Sequence, residues 1–117
     1  MELDHIAVAG ETLAEATAHV EAALGVPLQT GGQHPVFGTH NRLLGLADGL
    51  YLEAIAIDPE ATPERSPRWF DLDRFSGMPR LTNWICRATG LPELLERMPD
   101  GAGISVPLTR GDLVWDM

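Results

Sequence analysis

The chain repeats part of itself at a spacing of 80 residues, and this repeat limits the architectures open to it. In one ungapped register "GVPLQTGG" lies over "SVPLTRGD", and "LDHIAVAG" lies over "NWICRATG". The six identities in this register are Gly10/Gly90, Ala22/Ala102, Val26/Val106, Pro27/Pro107, Leu28/Leu108 and Gly31/Gly111. Strand-like and helix-like segments follow one another in the same order in both copies. We therefore expect a duplication, with two related modules inside one domain.

The first module has the clearest pattern. "ELDHIAVAG" alternates its larger apolar side chains and ends at glycine, which predicts a strand over residues 2–9. Thr12 and Glu15 have the spacing of a capping box, and Gly25 stands where a helix-ending glycine belongs. Between these signals one apolar stripe recurs at helical spacing, formed by Leu13, Ala16, Val20, Ala23 and Leu24. The sequence thus predicts a strand followed by a helix.

A hairpin follows the helix. "VPLQT" is typical of a short strand, and "THNRLLGL" and "LYLEAIAID" flank the turn "ADG". If Asp48 and Gly49 form a two-residue turn, Leu44 faces Glu53, Arg42 faces Ile55 and His40 faces Ile57. A turn one residue longer would place Asn41 on the face of Glu53 instead of His40, because neighbouring strand residues point to opposite faces. Residues 1–57 therefore read as a βαβββ module.

The rest of the chain is less regular. Residues 58–80 carry four of the nine prolines, which predicts a connecting loop with one helical turn around Trp69 and Phe70. Residues 81–117 predict a strand, the helix "LPELLERM", a "VPL" strand and the start of one more strand in "DLVWDM". The expected fold is α+β, with a mixed curled sheet followed by an incomplete second βαβββ module. We expect either a missing C-terminal part of a longer chain or a homodimer that completes the second module.

The charge of the chain excludes several functions. Its formal net charge is −9, and all eight basic residues are arginines. Without lysine the chain can form no Schiff base and has no P-loop lysine. Nucleic acid and anionic membranes would be repelled, so a neutral, cationic or metal-bridged small molecule is the expected ligand. The sequence shows no signal-peptide pattern and no apolar run long enough to span a membrane. Cys86 is the single cysteine, so no disulfide can form within the chain, and a cytoplasmic protein is expected.

A carboxylate in the middle of an apolar strand marks the candidate site. In "LYLEAIAI" the period of two places Tyr51, Glu53, Ile55 and Ile57 on one face. A buried carboxylate costs several kcal/mol unless it is paired or bound to a metal. Glu53 is therefore expected to have a partner, and both Arg42 and a metal ion are open at this point.

Paired βαβββ modules, with "LDHIAVAG" opening the first and "YLEAIAID" closing it, resemble the vicinal oxygen chelate superfamily. This superfamily includes glyoxalase I, extradiol dioxygenases, fosfomycin-resistance enzymes and bleomycin-binding proteins. "GGQHPVFGTHNRLLGLADGLYLEAIAID" followed by "RWF" resembles the bacterial glyoxalase-like domain proteins more narrowly. The resemblance implies a divalent metal (Zn, Ni, Fe or Mn) with ligands on the first and last strands of the module. Those positions here are His5 and Glu53. In the second module the repeat register puts Ile85 at the position of His5, so that module supplies no equivalent ligand.

The resemblance implies a metal-dependent isomerase, lyase or dioxygenase that acts on a small vicinal-oxygen substrate, with Glu53 as both ligand and proton carrier. The alternative is a non-catalytic protein that sequesters a small molecule, and a role in dimerisation is a third possibility. The side chains expected to contact a substrate are His40, Arg42, Tyr51, Trp69 and Trp84. The sequence does not place His34.

Overall fold

A computed structural model describes all residues, 1–117. The strands are β1 (Glu2–Ala9), β2 (Gln29–His34), β3 (Thr39–Ala47), β4 (Leu50–Ile57), β5 (Arg80–Arg87), β6 (Pro107–Arg110) and β7 (Leu113–Asp116). The helices are α1 (Leu13–Leu24) and α2 (Leu91–Leu95), and a 3-10 helical segment covers Trp69–Arg74. The chain divides into one unit of residues 3–86 and a second of residues 1–2 and 87–117.

The larger unit is built on a mixed five-stranded sheet in the order β2-β3-β4-β1-β5. β1 runs parallel to β4, whereas β3 is antiparallel to both β2 and β4. The α+β class and the βαβββ order of the first module are confirmed. Helix α1 begins and ends as predicted, since the Thr12 hydroxyl accepts a hydrogen bond from the Glu15 amide and Gly25 is left-handed with φ 69°.

The two faces of the sheet pack against different parts of the chain. One face packs against α1 in a cluster made of Val8, Ala16, Val20, Leu28, Leu52 and Ala54. The other face carries a second cluster of Ala7, Ala9, Ile55 and Leu72, with Ile57, Trp69, Phe70, Phe75 and Ile85 packed against it. Neighbouring residues of β1 and β4 belong to different clusters because strand side chains alternate. The second face also carries Glu53, and we call it the site face.

The hairpin register differs from the prediction by one residue. The sequence predicts Leu44 opposite Glu53, but Leu43 holds that position, and Asn41 lies opposite Ile55. A bulge between Gly45 and Ala47 inserts one extra residue into β3 next to the turn. Every residue pair farther from the turn is therefore shifted by one residue. The turn itself has the predicted two residues, because Ala47 lies opposite Leu50, so a longer turn is not the reason for the shift. The bulge makes the register predicted beyond it wrong and places Asn41 on the face of Glu53.

The strand predicted at "VPLQT" also starts later than expected. β2 begins at Gln29 and runs to His34, so Val26 and Pro27 lie before it. Its pairing with β3 shifts between Thr30 and Gln33, which places a bulge at the adjacent glycines Gly31 and Gly32. The helical turn predicted around Trp69 and Phe70 is confirmed, although Phe70 and Asp71 have positive φ values of 56°.

The smaller unit contains α2 and a two-stranded sheet of β6 and β7. Helix α2 is shorter than the predicted segment "LPELLERM" and ends at Leu95. The segment "DLVWDM" does form a strand, β7, which pairs antiparallel with β6. Backbone hydrogen bonds in both directions between Val106 and Met117 extend this pairing at 2.7 and 3.0 Å. No helix in the chain is long and apolar enough to cross a membrane.

Candidate functional site

His5 and Glu53 meet on the site face because their strands are neighbours. β1 and β4 pair in parallel with His5 opposite Tyr51 and Ala7 opposite Glu53, which puts all four on one face. His5 Nε2 lies 3.4 Å from Glu53 Oε2. On the other side of the ring, His5 Nδ1 lies 2.6 Å from Asp4 Oδ1. The Tyr51 ring stacks on the imidazole at 4.4 Å between centroids.

Asn41 and His34 complete the surroundings of the carboxylate. Asn41 Nδ2 donates a hydrogen bond of 2.6 Å to Glu53 Oε1. The same nitrogen lies 3.2 Å from His34 Nε2, which is itself 3.9 Å from Glu53 Oε1. His34 reaches this position because it ends β2 opposite Thr39, on the site face. Residues from three strands, β1, β2 and β3, thus converge on the carboxylate that β4 carries.

Aromatic side chains flank this cluster. The Trp69 indole N–H donates to Thr39 Oγ1 at 3.1 Å, and His34 Nδ1 contacts the same oxygen at 2.9 Å. The Trp69 ring stacks with Phe37 and with Phe70, and it meets the His34 ring edge-on at 5.1 Å. The first residue of the 3-10 segment, Trp69, therefore contacts Thr39 and His34 at one side of the cluster.

The bulge in β2 gives Asn41 the space that it needs. A Cβ atom on Gly31 would overlap the side-chain oxygen and the backbone carbonyl of Asn41. The next amide, that of Gly32, donates to Asn41 Oδ1 at 2.7 Å. Only glycine allows the two strands to approach this closely at position 31, because every other residue carries a Cβ atom.

Glu53 has histidine neighbours rather than an arginine. It is only 4% exposed, and its ion-pair contacts within 4.0 Å are to His5 and His34. Arg42 lies opposite Ala54, so the alternation of the strand directs it to the other face of the sheet. Of the two partners left open for Glu53, Arg42 is therefore excluded, and the bulge that shifts the register is the reason.

Burial and two neighbouring carboxylates both act on the pKa of His5. Burial by itself lowers the pKa of His5, but the hydrogen bonds and negative charges of Glu53 and Asp4 outweigh burial and raise the pKa above its ordinary value of 6.5. A protonated ring can donate to both carboxylates at once. The arrangement thus favours an imidazolium held between Asp4 and Glu53.

This raised pKa predicts a specific dependence of stability on pH. The contribution of His5 should be fully present below 6.5, its unfolded value, and should be lost as the pH rises through the folded pKa. Urea unfolding in EDTA, repeated across this range, should show the wild type losing free energy of unfolding as the pH rises. His5→Gln should flatten that slope, whereas His19→Gln, on the exposed surface of α1, should leave it unchanged. Equal slopes in all three proteins would contradict the assignment.

Two of the other predicted site residues lie at the cluster, and three do not. Tyr51 and Trp69 lie at the cluster, in contact with His5 and with Thr39 and His34. His40 lies opposite Ala56, so the register directs it, like Arg42, to the face of α1 and away from Glu53. Trp84 lies on β5 and is 77% exposed.

Sequence reasoning did not assign His34, Thr39 or Asn41 to the site. The paired glycines at positions 31 and 32 could have indicated a bulge in β2, and Gly45 a bulge in β3. Both bulges change which residues face Glu53. The stretch "GGQHPVFGTHN" contributes His34 and Asn41, two of the three side chains in polar contact with the Glu53 carboxylate, although the sequence predicts only His40 from it near the site.

The pair of His5 and Glu53 fits two positions of a metal centre. Atoms bound to one ion at about 2.1 Å each lie at most about 4.2 Å apart, and the facing Nε2 and Oε2 atoms satisfy this limit at 3.4 Å. Asp4 on the far nitrogen is the kind of carboxylate partner that metal-bound histidines have. No group of three or more histidine, cysteine, aspartate and glutamate side chains has an arrangement that could hold a metal ion. The protein side chains therefore fit as two ligands and not as a complete set.

Comparison with known protein families indicates the family of the chain. The sequence model of one family, described as a glyoxalase-like domain, matches residues 3–117. The match is consistent with the vicinal oxygen chelate superfamily. No match was found among curated proteins or among solved structures. Because the match covers nearly the whole chain, the chain belongs to the glyoxalase-like domain family.

Proposed function

We propose that the chain is a metal-dependent isomerase or lyase for a small substrate with vicinal oxygen atoms, in which Glu53 carries a proton. The observation that supports this most directly is the buried Glu53 carboxylate, which contacts two histidines and an amide and is paired with no arginine. A carboxylate in such surroundings can accept a proton from one substrate atom and return it to a neighbouring one. That pair of transfers is an isomerisation.

His5 and Glu53 would hold the metal, which as a Lewis acid would polarise the substrate oxygens. The chain itself supplies the remaining functions. Asp4 fixes the orientation of the His5 ring through Nδ1, and Tyr51 stacks against its face. Asn41 holds Oε1 of Glu53, and Trp69 and Phe37 provide aromatic surface on the histidine side. These contacts hold the Glu53 carboxylate in position before a substrate binds. Such preorganisation is the main condition for efficient proton transfer.

Metal removal tests this proposal. We expect the protein to bind about one Ni²⁺, Zn²⁺, Mn²⁺ or Fe²⁺ per chain by calorimetry, and His5→Gln to weaken that binding while His19→Gln does not. The loaded protein should exchange the hydroxymethyl hydrogens of hydroxyacetone with D₂O, followed by NMR, well above the rate in metal-containing buffer. EDTA should abolish the enhancement. Absence of exchange by the loaded protein would contradict the enzymatic proposal, and undiminished exchange in EDTA would contradict its metal requirement.

One observation favours a second candidate, a non-catalytic binding protein. The stacked rings of Phe37, Trp69 and Phe70 lie beside the polar cluster in a chain of net charge −9. Aromatic faces in an acidic protein suit a cationic aromatic ligand. Thermal shift with such compounds in EDTA, in the absence of any exchange activity, would support this candidate instead.

A further inference from the structure

We infer that Asn41 and His34 are positioning residues: Asn41 occupies Oε1 of Glu53, His34 holds the Asn41 amide in place, and Oε2 is left as the oxygen that takes up the proton. This inference rests on the proposed function, in which Glu53 is the proton carrier. Neither residue belongs to the pair that the family resemblance implies. The contacts in the cluster determine the direction of each hydrogen bond.

The orientation of the Asn41 amide follows from its contact with the backbone. The Gly32 amide is a donor, so the atom that it meets at 2.7 Å must be the oxygen, Oδ1. The amide nitrogen then faces Glu53 Oε1 at 2.6 Å. The flipped amide would place an oxygen against the carboxylate and an NH₂ group against the backbone N–H. Both contacts would be repulsive, which fixes the orientation.

The tautomer of His34 follows in turn. Its Nε2 atom faces the Asn41 NH₂ group at 3.2 Å, so Nε2 must accept and carries no proton. The proton of the neutral ring is then on Nδ1, where Thr39 Oγ1 accepts it at 2.9 Å. The Trp69 indole N–H, which can only donate, also points to Thr39 Oγ1. His34 and Trp69 both donate to Thr39, and Asn41 donates to both His34 and Glu53.

The two carboxylate oxygens of Glu53 are therefore not equivalent. Oε1 accepts one hydrogen of the Asn41 amide, and the other hydrogen is directed to His34. Oε2 faces His5 Nε2 at 3.4 Å, longer than a strong charge-assisted hydrogen bond. Oε2 would therefore be the oxygen that serves in turn as metal ligand and as proton acceptor, because a proton could reach Oε1 only by breaking the bond to Asn41. His34 acts at a distance, by keeping the Asn41 amide in place.

The ring tautomer can be measured without any substrate. In EDTA-treated protein with ¹⁵N-labelled histidine, long-range ¹H–¹⁵N spectra at about pH 7 should show His34 neutral with its proton on Nδ1. His34→Gln identifies the resonance. In a free histidine side chain the other tautomer, with the proton on Nε2, is the commoner one. A protonated His34 ring, or a proton on Nε2, would overturn the inference whatever the activity of the protein.

Variants then test the positioning role through hydroxyacetone exchange by the metal-loaded protein. Asn41→Asp has nearly the same shape and keeps an acceptor for Gly32, but it removes the donor to Glu53. We expect kcat to fall by about 10- to 100-fold with little change in KM. His34→Leu should lower kcat in the same way, and His34→Gln should restore part of the loss because its amide oxygen can accept from Asn41. The surface variant His19→Gln serves as the control.

The outcomes separate the two proposals. Unchanged kcat in Asn41→Asp and His34→Leu, with normal exchange by the wild type, would overturn the positioning role and leave the proposed function intact. No exchange by the wild type would overturn the proposed function, and the role of Oε2 would fall with it, even if His34 has the expected tautomer.

Discussion

Glu53→Gln should reduce the metal-supported exchange of hydroxyacetone hydrogens by about 10²–10⁴-fold, the usual contribution of a general base. Glutamine has almost the shape of glutamate and can still accept the Asn41 hydrogen bond that Glu53 receives at 2.6 Å. It cannot take up a proton or supply the negative charge that faces His5. The fold should persist, because the substitution leaves the packing of β4 unchanged.

The measurement is exchange by NMR at saturating metal, so that weaker metal binding by the variant does not account for the loss. Circular dichroism and the urea midpoint verify that the variant is folded. Glu2→Gln, on the exposed first residue of β1, is a matched control that makes the same chemical change away from the site. If Glu53→Gln exchanges hydroxyacetone at the wild-type rate, Glu53 is not the proton carrier.

Gly31→Ala should destabilise the fold by about 3 kcal/mol, the upper end of the range for inserting atoms into packed structure. The added Cβ atom would overlap both the side chain and the backbone carbonyl of Asn41. Backbone cannot move aside as a flexible side chain can. We therefore expect β2 to separate from β3 around the bulge and the Asn41 amide to leave Glu53.

Gly45→Ala is the matched control for this variant. Gly45 lies in β3, and a Cβ atom there would meet nothing within 4 Å. The same substitution should be neutral or stabilise the fold by about 0.4–1 kcal/mol, since alanine restricts the unfolded chain. Urea unfolding of the two variants gives the comparison, and proton exchange should fall only in Gly31→Ala. Equal midpoints for both variants would show that the close approach at Gly31 is not needed.

These two substitutions address two requirements of one site. Glu53 supplies the chemistry, whereas Gly31 allows the strands to approach closely enough for Asn41 to reach it. The second requirement is structural, yet its loss should remove activity as well. Bulges often serve this purpose next to functional sites, because they redirect side chains without changing the order of the strands.

The sequence by itself determined the elements that depend on neighbouring residues. The strand over residues 2–9, the helix between Thr12 and Gly25, and the hairpin around Asp48 and Gly49 are all present in the structure. Capping and turn signals act over three or four residues, so a short stretch contains all the information needed. The alternation in β4 likewise indicated that Glu53 is buried and needs a partner, and the quoted segments carried the family resemblance.

Only the tertiary structure decided which side chains surround Glu53. One extra residue in β3 exchanges His40 and Arg42 for Thr39 and Asn41 on the site face, because a shift of one residue reverses the face of every side chain in a strand. His34 reaches the surroundings of Glu53 because β2 pairs with β3, and this pairing depends on the glycines at positions 31 and 32. Bulge positions depend on how closely two strands can pack, and this is set by contacts between residues distant in the sequence. Composition and periodicity thus identified the carboxylate, and strand pairing selected its partners.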